Sequence, residues 1–107
     1  AVRQVVLRPQ AAGDASEVQA WYESRRAGLG HEFGLAVDEL IGRIATNPFM
    51  FHRVHGEIRR AVLSRFPYAV YFRPAGDQVV VLAFMADSSV TLEGAFVSRR
   101  RGASSIN

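Results

Sequence analysis

Arginine dominates the chemistry open to this chain. Arg59 and Arg60 are adjacent, and Arg65 and Arg73 follow within a short, apolar, aromatic-rich stretch that also holds Tyr71 and Phe72. A guanidinium offers a planar fork of donors that suits phosphate or carboxylate. Its pKa above about 12 makes it a poor proton shuttle. These residues therefore point to anion or protein binding, or to a cation beside a reacting phosphate. If Ile58 to Arg65 is a strand, Ile58, Arg60, Val62 and Ser64 share one face, and Arg59, Ala61, Leu63 and Arg65 share the other. At most one of the two adjacent arginines then lies on an exposed sheet face. The other covers apolar surface or pairs with a helix carboxylate.

Other constellations carry less. His52-x-x-His55 has two imidazoles but no third metal ligand nearby in a segment that reads as a loop, so no metal or other cofactor is expected. Glu17, Glu23, Glu32, Asp38 and Glu39 have the spacing of a solvated helix face rather than of a catalytic carboxylate pair. No serine sits in a nucleophile-elbow context, and no glycine-rich phosphate loop is present. With no cysteine there are no disulfides, thiolate metal sites or thiol nucleophiles, which fits a reducing cytoplasm.

All 13 basic side chains are arginine. Residues 1–52 have five of them against six carboxylates, and residues 53–107 have eight against four. The second half therefore carries the positive field, suited to an acidic protein, phosphate or nucleic acid. The 107 residues make one domain's worth of chain, expected to span 1–99 with a disordered tail over 100–107, including Arg100 and Arg101. No segment is long or apolar enough to cross a bilayer, and no signal peptide is expected, so the predicted location is the cytoplasm with no membrane contact.

The elements that must position these groups follow from periodicity. Val2 to Leu7 is β-branched and apolar, a first strand. Pro9 suits the first turn of a helix. From Gln10 to Arg26, Ala11, Ala15, Val18 and Tyr22 fall at helical spacing, with Trp21 beside them; Gly13 weakens the first turn. Gly28 is placed for a left-handed helix end. Phe33, Val37, Leu40, Ile41 and Ile44 form the stripe of a second helix, from about His31 to Thr46, which Asn47-Pro48 stops. Phe49 to His55 reads as a loop. Ile58 to Arg65, Tyr68 to Arg73 and Val79 to Met85 read as strands of a meander, with a turn at Pro74-Ala75-Gly76-Asp77. The prediction is an α+β domain, β-α-α-β-β-β, with a helical hairpin packed on one face of a four-stranded, largely antiparallel sheet. The other face would carry the exposed arginines and aromatics.

Several motifs, in order and at family spacing, resemble the RelE/ParE toxin superfamily, and the ParE branch more closely. They are Ala20-Trp21-Tyr22-Glu23, Gly28-Leu29-Gly30-His31-Glu32-Phe33, Ile44, Asn47-Pro48-Phe49, Ile58-Arg59-Arg60 and Arg65-Phe66-Pro67-Tyr68-Ala69-Val70-Tyr71-Phe72. The likeness spans about residues 3–85. It implies the same β-α-α-β-β-β architecture and the toxic half of a type II toxin–antitoxin pair. ParE-like members inhibit DNA gyrase by protein binding, whereas RelE-like members cleave mRNA on the ribosome. It also implies a cognate antitoxin, ribbon-helix-helix at its N-terminus, that forms a hetero-oligomer with the toxin and alone brings it to operator DNA. Under this resemblance Arg59, Arg60, Arg65, Tyr71, Arg73 and Arg99 are candidates for target binding. Trp21, Tyr22, Phe33 and Val37 are candidates for antitoxin binding.

The chain departs from the family after Met85. A pattern near His-x-x-Arg-x-Pro-x-x-Trp is common there, but this sequence has Ala86, Ser89, Thr91 and Gly94 at those positions. Metal-free RNA cleavage needs a base for the 2′-OH, a cation for the phosphate and an acid for the leaving oxygen. The segment after Met85 has no histidine or tyrosine, and no arginine before Arg99. The sequence thus favours a non-enzymatic gyrase inhibitor. The alternatives are an mRNA endonuclease and a detoxified member that only binds antitoxin.

Overall fold

The computed structural model describes residues 2–87. Strand β1 (Gln4–Leu7) leads into helix α1 (Pro9–Arg25), with Pro9 at its first turn. Ala11, Val18 and Tyr22 are the buried residues of α1, with Ala15 packed beside them, as the helical spacing predicts. Gly13 does not interrupt the helix.

Gly28 is left-handed, with φ 90°, as its position predicts, but it caps the start of α2 (Leu29–Thr46) rather than the end of α1. Helix α2 begins about two residues earlier than its stripe indicated because the Glu23 carboxylate accepts from the N–H groups of Gly28 and Gly30, both at 2.9 Å. Those donors are otherwise orphaned at a helix start. Asn47 ends α2 as expected, and Pro48–Met50 forms one 3-10 turn.

Among the described residues the sheet has five strands, not the expected four. The stretch read as a loop contains β2 (His52–His55), antiparallel to β3 (Ile58–Val62), with His52 opposite Arg60 and Arg53 opposite Arg59. All four β2 side chains are exposed, so no apolar alternation marks the strand. It exists through backbone pairing across a turn at Gly56, φ 56°. Strand β3 ends at Val62, short of the predicted Arg65, and Arg65 lies in the following turn. Strands β4 (Tyr68–Ala75) and β5 (Gln78–Ala86) form the predicted hairpin. Its turn is only Gly76-Asp77, with Gly76 at φ 63°. Pro74 sits within β4 beyond the last β3 pairing, Arg59 with Phe72, where its missing N–H costs no ladder bond.

The strand order is β1-β5-β4-β3-β2, with β1 parallel to β5 and the remaining pairs antiparallel. Between Tyr71 and Phe72 the partner skips from Ala83 to Val81, which makes Leu82 the extra residue of a bulge. The bulge shifts the alternation so that Val79, Val81 and Phe84 all reach the core. The helices pack over this face. Tyr22, Phe33, Phe66, Tyr68 and Phe84 form a ring cluster with centroid separations of 4.9 Å for Tyr22–Phe66 and 5.2 Å for Phe33–Phe66. Edge-on contacts of this kind add about 1 kcal/mol beyond burial.

Candidate functional site

The two adjacent arginines part as strand geometry requires. Arg60 stands opposite Tyr71 on the face away from the helices. Its Nη2 donates to Asp87 Oδ1 at 2.8 Å, and Asp87 is 5 % exposed. The hydrogen bond that Arg60 donates to Asp87, with Tyr71 nearby, raises the Arg60 pKa above its already high value, so this group stays cationic. Arg73, two residues after Tyr71 in β4, shares that face.

Arg59 projects to the helix side, in line with Ala61 and Phe72. Its Nη1 donates to the Phe51 carbonyl at 2.7 Å, and its guanidinium lies 5.1 Å from the Phe49 ring centroid. Among the described residues neither arginine pairs with a helix carboxylate. Arg65 does: its Nη2 donates to Glu32 Oε1 of α2 at 2.6 Å, and it also lies over Phe66. Arg60, Tyr71 and Arg73 thus stand together, while Arg59 and Arg65 each stand elsewhere. Phe72, next to Tyr71 in sequence, points to the other face and is fully buried in the core. Arg99, the atypical residues from 88 onward and the expected tail lie outside the described residues.

On the helical hairpin, Tyr22 and Phe33 are 3 % and 1 % exposed, so a partner reaches little of either, although Phe33 contributes to the wall of the cleft that Val37 lines. Their work is core packing. Trp21 is half-buried, edge-on to Tyr22, with the Arg25 guanidinium 4.7 Å from its ring centroid. Val37 lines a cleft of about 350 Å³ between the helices and β1, with Leu7, Ala15, Gln19 and Asp38. Trp21 and Val37 are therefore the candidates a partner can reach.

His52 and His55 are both exposed on β2, and among the described residues no group of three metal-ligating side chains forms. Sequence reading missed Asp87, 27 positions from its partner Arg60, because only the sheet register brings them together. It also missed Arg3, which joins Arg59 at the Phe49 ring from the far strand β1 side, 5.2 Å from the centroid. The arrangement offers fixed cations and hydrogen-bond donors, which is the chemistry of binding anions and protein surfaces.

No family model matches the chain, and no curated protein matches it. A solved structure described as the chromosomal ParDE TA system from P. aeruginosa contains a chain of similar fold, with a TM-score of 0.68 at 15% identity. The match covers 80% of this chain and 97% of that chain. The likeness is one of fold: this chain and that ParDE chain share one α+β architecture, the one its RelE/ParE-like motifs led us to expect.

Proposed function

We propose that this protein is the toxin of a type II toxin–antitoxin pair and that it acts by binding DNA gyrase. The observation that supports this is the fold shared with the ParDE chain across 97% of that chain's length. The order of motifs from Trp21 to Phe72 agrees with it. The face bearing Arg60, Tyr71 and Arg73 is the target-binding surface, with Asp87 holding Arg60 in place. A cognate antitoxin of ribbon-helix-helix type lays a helix along the cleft that Val37 lines, near Trp21, and carries the complex to operator DNA. The protein works in the cytoplasm.

Expression without antitoxin is expected to arrest growth with DNA damage, and the purified, folded protein is expected to inhibit gyrase supercoiling. Arg73→Glu should weaken that inhibition about tenfold or more, since a reversed charge opposes the contact it replaces. Full supercoiling activity in the presence of the folded protein sinks the gyrase reading. A second reading has one observation in its favour: Arg60 and Arg73 flank Tyr71 on one face, where a phosphate group could sit. Codon-positioned cuts in mRNA on translating ribosomes would establish it. Antitoxin binding with no growth defect would instead mark a detoxified protein.

A further inference from the structure

One region of the molecule gathers cations that no carboxylate balances. The guanidinium groups of Arg3 and Arg59 lie 5.2 Å and 5.1 Å from the centroid of the same ring, Phe49. Their charges are therefore within about 10 Å of each other, comparable to the screening length in salt solution, and each raises the electrostatic cost of the other. Arg43 stands over the Phe51 ring at 5.6 Å. Arg53 is exposed on β2, opposite Arg59 in the strand pair. The ion pairs among the described residues use Arg26, Arg60 and Arg65, and none of these four.

Arg59 is held in place before any ligand arrives. Its Nη1 donates to the Phe51 carbonyl at 2.7 Å, and its Nε is buried with no acceptor among the described residues. The Nε of Arg3 is buried in the same way. A cation stripped of water on one side gains more from an anion on its open side than a fully hydrated one does. Arg59 has such an open side. With Met50, Phe51, His52 and Arg53 it lines a depression of about 500 Å³, and no carboxylate lines it. That volume lies within the range of small-molecule sites. Met50 gives the depression an apolar wall, 57% exposed.

We propose that this depression binds a compact, multiply charged phosphate compound of the nucleoside diphosphate class. Its phosphates meet Arg53, Arg59 and the imidazole of His52, and its base lies against Met50. Several unpaired guanidinium groups call for more than one negative charge, and their planar forks suit phosphate oxygens. The apolar wall calls for more than bare phosphate. A nucleic acid strand is a poorer occupant, because the cationic region is short. Glu57 follows β2 in the turn to β3, and Glu39 lines a neighbouring depression that shares Met50. A phosphate backbone tracking past these carboxylates would meet repulsion. The proposal needs neither gyrase nor an antitoxin, so it stands or falls apart from the toxin reading.

The test titrates the full chain with ADP at fixed ionic strength, read by amide NMR shifts. The expected result is saturable shifts centred on Met50 to Arg53 and on Arg59. Pyrophosphate should bind about tenfold more weakly and adenosine not at all, since each lacks one half of the contact. Arg53→Ala should weaken ADP binding about tenfold, because it removes a phosphate partner. Its side chain is exposed, and an unchanged spectrum elsewhere would show that the fold is intact. Arg8→Ala, just past the far end of β1 from Arg3, removes the same charge and should bind ADP as the parent does. The proposal is overturned if ADP moves amides near every exposed arginine alike, if Arg8→Ala weakens binding as much as Arg53→Ala, or if adenosine competes equally. Pyrophosphate binding as tight as that of ADP overturns the nucleoside assignment. Tighter binding of an oligothymidylate, per phosphate, at the same amides overturns it in favour of nucleic acid.

Discussion

Glu23 accepts two backbone hydrogen bonds across the turn that joins the helices, from Gly28 and Gly30. The bond from Gly28 first, then the bond from Gly30, lower its pKa below the ordinary 4.5. The sign of the linkage follows. A lowered folded-state pKa contributes stability that is present above 4.5 and is lost as pH falls through the lowered value. Glu23→Gln should therefore unfold at lower urea than the parent at pH 7. The gap should close as pH falls below the lowered value, where the parent's carboxylate is protonated in both states. A gap that persists unchanged in acid would mean that the charge of Glu23 contributes nothing to the turn. The arginines show the same scale of control. Asp87 fixes Arg60, backbone carbonyls fix Arg59 and Glu32 fixes Arg65, so each guanidinium is oriented by its own acceptor.

The close approach of α1 and α2 depends on glycine at one position and merely permits it at another. A Cβ on Gly30 would stand 2.8 Å from the Gln19 carbonyl oxygen and 2.9 Å from Glu23 Oε1. The carbonyl belongs to the α1 backbone and cannot step aside, so Gly30→Ala should cost about 1–3 kcal/mol. A Cβ on Gly34 meets only Gln19 Nε2, at 2.9 Å, the end of a flexible side chain. There the gain in helix propensity, about 1 kcal/mol, offsets the displaced contact. Gly34→Ala should stay within about 1 kcal/mol of the parent. Equal losses in urea unfolding would show that hairpin packing does not distinguish the two sites. The helices themselves were legible in the sequence, since Val18, Tyr22, Phe33, Leu40 and Ile44 repeat at helical spacing and all are buried. Strand β2 was not, because an exposed edge strand has no buried face to impose alternation. Alternation did separate Arg59 from Arg60. It could not reveal the acceptors, because Phe51 and Asp87 meet those arginines only after β2 and β5 take their registers.

At the scale of the molecule, the first strand pairs with the last described strand, so the sheet is incomplete until both ends of residues 2–87 are in place. The N–H of Arg3 also donates to the Ala45 carbonyl at 2.9 Å, tying β1 to the end of α2. Cooperative unfolding follows for β1, β5 and β4, whose inward residues Val5, Leu7, Val79, Val81, Val70 and Phe72 all join one core. Strand β2 stands outside that unit. Among the described residues it has one neighbour and its four side chains are exposed, so it can fray without opening the core. Native-state hydrogen exchange should therefore divide the sheet. Amides of Val70, Phe72, Val79 and Val81 should exchange only through global unfolding, of about 5–15 kcal/mol for a domain of this size. Amides of β2 should exchange through local opening, faster by about a thousandfold or more. Equal protection across β2 and β4 would show that the edge strand folds as part of the core.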